Sequence, residues 1–155
     1  MKKILYISCL FGFLKASVAF AGELEAGKWN FILADSYCYI GSYPIETEIP
    51  EGKKRDQAYI LVYRMNNSED AIIQVEAGYP YDSKKSVEVT IDKKLYNFVS
   101  DEGSAWTEND IKVISSMKKG LVLSVKGQSS RGTKTKDTYS LKGFTAAYNK
   151  LFKDC

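Results

Sequence analysis

The sequence predicts a mostly β domain, a β-sandwich or flattened barrel with two short helices at about 107–119 and 141–153. Three observations predict it. Short runs of β-branched and aromatic residues recur along the chain, separated by turn residues. Only two stretches exchange this pattern for an apolar spacing of three to four. No repeat, low-complexity tract or linker divides residues 22–155, a length that suits one domain.

The first 21 residues, MKKILYISCLFGFLKASVAFA, stand apart. Two lysines precede an apolar run, and small residues close it at Ala19-Phe20-Ala21. This order is that of a secretory signal peptide, with cleavage expected after Ala21. The apolar run is too short for a membrane span and Lys15 interrupts the residues beyond it, so no transmembrane segment is expected in the mature chain. Without Lys2, Lys3 and Lys15 the 22 basic residues fall to 19, equal to the 19 acids. The basic balance of the whole chain therefore belongs to the leader and gives no support to nucleic-acid binding.

Strands come next. In KWNFIL (28–33) Trp29, Phe31 and Leu33 alternate with their neighbours, and SYCYIG (36–41) comes after a short break. The segment YPIETEIPEGKKRD (43–56) holds two prolines and many charges, and reads as a loop or at best an edge strand. AYILVYRM (58–65) and AIIQVEAG (71–78) flank the turn residues NNSED. SVEVTI (86–91), DKK and LYNFV (95–99) read as a hairpin. The first predicted helix begins at TENDIKVISSMKKG, with Thr107 as N-cap, acids in its first turn, lysines in its last and Gly120 beyond. Ile111, Ile114 and Met117 form its apolar stripe, and Trp106 reads as a staple packed beneath it. GLVLSVKG (120–127) and TKTKDTYSL (133–141) are the last strands. In the closing segment Leu141, Phe144, Tyr148, Leu151 and Phe152 share a helical face.

Residues 22–155 keep two cysteines, Cys38 and Cys155, 117 positions apart. An even count in an exported chain favours a disulfide, which would staple the last helix to an early strand. Two free thiols or an intermolecular bond are the alternatives.

The segments SAWTEND, MKKGLVLSVKG and SSRGTKTKDTYSLKGFTAAY, in that order, resemble the invasion-associated locus B family of exported proteobacterial proteins. The resemblance runs from about Ala58 to Tyr148, and RGTKTKDTYSLKGFTAA is its most specific part. An early strand with Trp29, followed by Cys38, also fits. The resemblance implies an exported all-β domain and not, by itself, virulence. The extra mid-chain cysteine pair of many family members is missing, which leaves Cys38 with Cys155.

Residue chemistry narrows the function. The chain has no histidine, which removes Ser-His-Asp and Cys-His catalysis and the usual zinc and copper sets. It has no Walker loop and no nucleophile elbow. No cofactor or metal is expected. A carboxylate pair assembled from distant positions stays open, although no spacing singles one out. Between Lys118 and Lys142 lie seven cations and one acid, Asp137. Arg131, Lys134 and Lys136 are the candidate binding residues of this ribbon, and the Ser129–Thr133 turn offers backbone N–H groups to an anion. The competing reading is a solvated strand face that discourages edge pairing. Asp137 and Tyr139 read as organising residues, with an Arg131–Asp137 pair pinning the loop. Tyrosines at loop ends, Tyr37, Tyr39, Tyr43, Tyr79 and Tyr81, suit glycan or protein contacts, or half-bury at the rim.

The expectation is thus a periplasmic or secreted, envelope-associated binding protein, not an enzyme. Its partner would lie in the envelope or on a host surface, anionic if the basic ribbon is what it meets. A ligand-free structural envelope protein and a carboxylate-dependent hydrolase are the alternatives.

Overall fold

The structure, a computed structural model, describes residues 23–155; the leader expected over 1–21 lies outside them. Ten strands build one antiparallel sheet among the described residues. They are β1 (Asn30–Leu33), β2 (Tyr37–Ser42), β3 (Glu46–Glu48), β4 (Tyr59–Met65), β5 (Ile72–Glu76), β6 (Val87–Ile91), β7 (Lys94–Asp101), β8 (Ser104–Trp106), β9 (Val122–Gln128) and β10 (Lys134–Ser140). Two helices, α1 (Asp110–Lys119) and α2 (Phe144–Lys153), complete the chain. The strand order is β1-β2-β4-β5-β8-β7-β6-β9-β10-β3, and the sheet curls into a half-barrel.

Strand β7 joins the two halves. Its first part pairs with β6, as Phe98 does with Val87, and its last part pairs with β8, as Val99 does with Trp106. The short β8 is absent from the sequence reading, because SAW carries too little alternation to announce a strand. The edge strand β3 is three residues long, fully exposed and carries Glu46 and Glu48, all features that discourage edge-to-edge association.

Alternation sets the two faces. Inward go Ile40, Ile60, Val62, Ile73 and Val75 from one half, and Val87, Val89, Leu123 and Val125 from the other. Both helices fill the space between, with Val113, Ile114 and Met117 from α1 and Phe144, Ala147 and Leu151 from α2 buried. The expected stripe of α1 is thus rotated: Val113 replaces Ile111, which is 78% exposed. Its cap also moves. Asn109 accepts from Lys112 N–H at 3.0 Å, while Thr107 supports the turn by accepting from Asn109 N–H at 3.1 Å. Trp106 is a strand residue opposite Gln74 and Val99, on the face away from buried Ala105, and not a staple before α1.

A Cys38–Cys155 disulfide ties β2 to the residue that ends the chain after α2, with a Cα–Cα distance of 5.8 Å. Trp29 packs edge-on against Phe144 at 4.8 Å between centroids and donates its indole N–H to the Ser140 carbonyl at 2.9 Å. These contacts hold α2 against the first two strands.

Candidate functional site

The last two long strands carry both the polar centre of the core and the principal surface groove. On β10 the odd positions Thr135, Asp137 and Tyr139 point inward and are buried, while Lys134, Lys136 and Thr138 point outward. One strand therefore separates a buried network from an exposed basic face, as a period of two dictates.

The buried network centres on Asp137. Its partner is Arg55, not Arg131 as the sequence suggested. The two side chains are 8% and 4% exposed. Arg55 Nη1 donates to Asp137 Oδ2 at 2.8 Å and to the Ala77 carbonyl at 2.9 Å, and Nη2 donates to Asp137 Oδ1. The Thr47 hydroxyl donates to Oδ1 at 2.8 Å. Burial disfavours the guanidinium charge, but the hydrogen bonds and charge of Asp137 more than restore it, leaving Arg55 above its ordinary value. A bidentate fork of this kind is available to arginine and not to Lys53 or Lys54 beside it. The pair pins the 49–58 loop to β10.

Tyrosines line this centre. The Tyr79 hydroxyl meets Thr135 Oγ1 at 2.7 Å, and its ring lies near the Arg55 guanidinium. Tyr81 and Tyr139 are 5% and 0% exposed, and neither hydroxyl has a protein partner. Burial pushes both phenols far above the ordinary tyrosine range. Gly127, opposite Thr135, explains the fit: a Cβ there would lie 2.6 Å from the Tyr81 ring and 2.7 Å from the Tyr79 hydroxyl. Thus Tyr79 and Tyr81 are interior groups, whereas Tyr37 and Tyr39 lie on β2 as a stacked pair.

The exposed face bears a groove of about 950 Å³. Across its floor the register sets Glu48, Lys136, Lys126 and Glu88 in one row over β3, β10, β9 and β6. Lys136 is bound to Glu48 at 2.6 Å, which raises its pKa. Lys134 sits one step along, opposite Gln128, and Lys85 lies on the rim. A second groove of about 640 Å³ adjoins it through Ile49 and Thr135, with Lys53, Lys54 and Arg131 on its walls. Arg131 is exposed and, among the described residues, has no ion-pair partner. The turn that carries it is not an anion cradle. Ser129 and Ser130 donate their N–H groups to the Thr133 and Pro80 carbonyls, while Gly132 and Thr133 donate theirs to Ser129.

Glu48 and Glu88, the carboxylates of that row, sit on strands three spacings apart, about 14 Å between backbones, with Lys136 and Lys126 between them. Among the described residues no group of three His, Cys, Asp or Glu side chains is placed to hold a metal ion.

Sequence reading singled out Lys134, Lys136 and Arg131, which line these grooves, and did not single out Arg55, Glu48 or Glu88. The signal for Arg55 was an arginine beside two lysines in a loop. For the glutamates only the strand register places them.

A curled antiparallel domain closed by one disulfide, with a buried Arg–Asp centre and a mixed-charge groove outside it, is the class that fold and site define. A family model described as Invasion associated locus B (IalB) protein matches residues 44–152, and the chain belongs to that family. The match starts before the resemblance found at Ala58 and takes in β3 and Arg55. The crystal structure of invasion associated protein B from Bartonella henselae has a similar fold. Its TM-score is 0.59 at 14% identity, over 83% of this chain and 94% of that one. No curated protein matches the sequence.

Proposed function

We propose that this chain is an exported, envelope-associated binding protein without catalytic activity, and that its contact surface is the outer face of β9 and β10. The observation that carries the reading is the division of labour on β10. Its buried Asp137 is saturated by Arg55 and Thr47, so the ionisable centre is closed to a substrate. Its outward lysines instead line a groove large enough for a ligand segment or a protein loop. Export is supported by the leader-like first 21 residues and by a disulfide that joins distant parts of the chain. Among the described residues no helix is long and apolar enough to cross a membrane.

The partner is an envelope or host-surface component. Lys136 is neutralised by Glu48, so Lys134 and Arg131, beside Lys85 and Lys126 in the first groove and Lys53 and Lys54 in the second, supply the attraction toward an anionic group. The invasion-associated name of the structural neighbour makes host-cell contact one setting for such a surface. The test is capture of partners from envelope extract by the mature protein and by an Arg131→Ala, Lys134→Ala variant. Salt-sensitive capture that the double variant loses is the expected result. Equal recovery by both proteins removes the basic face from the function, and no capture by either leaves a structural envelope protein.

A further inference from the structure

The other half of the sheet shows a second surface of a different kind. Register sorts its outward residues into rows. Ile32, Tyr39, Tyr63 and Ile72 form one row across β1, β2, β4 and β5. Gly41, Leu61, Gln74 and Trp106 form the next, across β2, β4, β5 and β8. Tyr37 and Met65 face each other beyond the first row. Both helices pack on the opposite side, so the described residues lay no helix over these rows. Tyr37 is 38% and Met65 48% exposed, and the rest of the platform is half-buried by mutual contact, apart from buried Ile32 and Gly41. Gly41 has its own reason: Leu24 and Leu61 close over it, and a Cβ would lie 2.8 and 2.6 Å from them.

Two properties select an occupant. First, these rows contain no charged residue. The acids Glu76 and Asp101 belong to the following row with Tyr59 and Ser104, and Glu25 lies at the β1 edge, where it accepts from Asn30, the register partner of Gly41. A polyanion would find no cation here. Second, the platform is small. Five strands at about 4.8 Å and three rows at about 6.8 Å span roughly 19 by 14 Å between the outermost backbones, on the order of 260 Å². A stable protein interface needs about 800 Å² on each side, so a second copy or a folded partner would gain too little from this face alone. What fits is a neutral, flat ligand with apolar faces and a polar rim. Tyrosine and tryptophan offer the matching surface, a ring face with a hydroxyl or N–H at its edge. A pyranose chain with equatorial substituents has that complementary form, with C–H groups above and below and hydroxyls around. Burial and the neighbouring tyrosines raise the Tyr39 phenol, in keeping with a neutral platform.

We propose that the outer face of β2, β4, β5 and β8 is a separate binding site for a neutral β-1,4-linked glycan, lying flat across Tyr39, Tyr63 and Trp106. It is independent of the basic groove on β9 and β10. Tryptophan fluorescence reads it directly, because Trp29 is buried and bonded inside the fold and Trp106 lies on the platform. The mature protein would be titrated with cellotetraose and chitotetraose, with α-linked maltotetraose as the comparison. A saturable change with the β-linked probes is expected. Tyr63→Ala and Tyr39→Ala should each weaken it about tenfold or more, whereas Tyr63→Phe keeps the ring and Lys134→Ala leaves the site untouched. If an alanine variant loses the folded circular dichroism spectrum, the comparison rests on the other and on Tyr63→Phe. No saturation by about 10 mM β-linked probe, or unchanged affinity in the folded alanine variants, overturns the proposal. So does a concentration-dependent dimer that Tyr63→Ala abolishes, which would assign the face to self-association. Loss of binding with Lys134→Ala alone would place the glycan in the basic groove and refute a separate site.

Discussion

Truncation of Asp137 is the sharpest test of the buried centre. Asp137→Ala removes both acceptors of the Arg55 fork and the acceptor of the Thr47 hydroxyl. Arg55 then keeps only the Ala77 carbonyl at 2.9 Å and Thr47 Oγ1 at 3.3 Å, with its side chain 8% exposed. A guanidinium stranded in this way costs about 3–5 kcal/mol, because the desolvation penalty remains after the attraction is gone. That is a large part of the roughly 5–15 kcal/mol that holds a domain of this size. Arg55→Ala strands the carboxylate and costs a similar amount. The double variant removes both charges, so its loss should fall short of the summed singles by about 2–3 kcal/mol. Urea denaturation of the oxidised protein at neutral pH, followed by circular dichroism, measures all three. In a thermal scan the single variants should melt roughly 10–20 °C lower. A single-variant loss under about 1 kcal/mol would mean the pair behaves as an exposed one. Additivity within about 0.5 kcal/mol would mean the two charges do not interact. Either result refutes the reasoning.

Three other outcomes rest on particular residues. Cys155→Ser opens a loop of 117 residues and should cost about 4–5 kcal/mol in the chain-entropy view, with intact mass under alkylation showing both thiols blocked in the parent. Labelling of Cys38 and Cys155 without reductant would contradict the bond. Tyr139→Phe removes a buried hydroxyl with no protein partner, so stability should hold or rise by about 1 kcal/mol; a comparable loss would show that the hydroxyl is satisfied in solution. Burial raises the Asp110 carboxyl above its ordinary 3.8 despite the hydrogen bond from Ile73 N–H. The folded state then holds this proton more tightly than the unfolded one. Its contribution is greatest below pH 3.8 and declines as pH rises through the folded value. Asp110→Asn keeps an acceptor for Ile73 and should gain on the parent across that window; a fall in its relative stability with rising pH would reverse the assignment.

Composition, alternation and spacing were enough to predict a β-rich domain, the two helical segments and the two cysteines that meet. These are local or counting properties. A period of two marks a strand wherever it occurs, and a single pair of cysteines has few options. The basic ribbon was legible for the same reason, since Lys134 and Lys136 alternate with Thr135, Asp137 and Tyr139. Three things were not legible. Arg55 lies 82 residues from Asp137, and nothing in the intervening chain announces that a loop arginine, not the nearby Arg131, will be the partner. The small rotation that buries Val113 and exposes Ile111, while Ile114 and Met117 stay inside, depends on where α1 meets the core. The apolar platform exists only because β8 pairs with β5 and carries Trp106 to the outer side.

Each of these depends on which strands become neighbours and in what register, a relation between distant segments that hydrophobic periodicity leaves open. The sequence by itself determined the class of most segments and, for the long strands β4, β5, β6 and β10, the face that turns inward. Tertiary structure alone decided which residues share those faces, because side chains from separate strands are brought together by hydrogen-bonded pairing and not by their order along the chain.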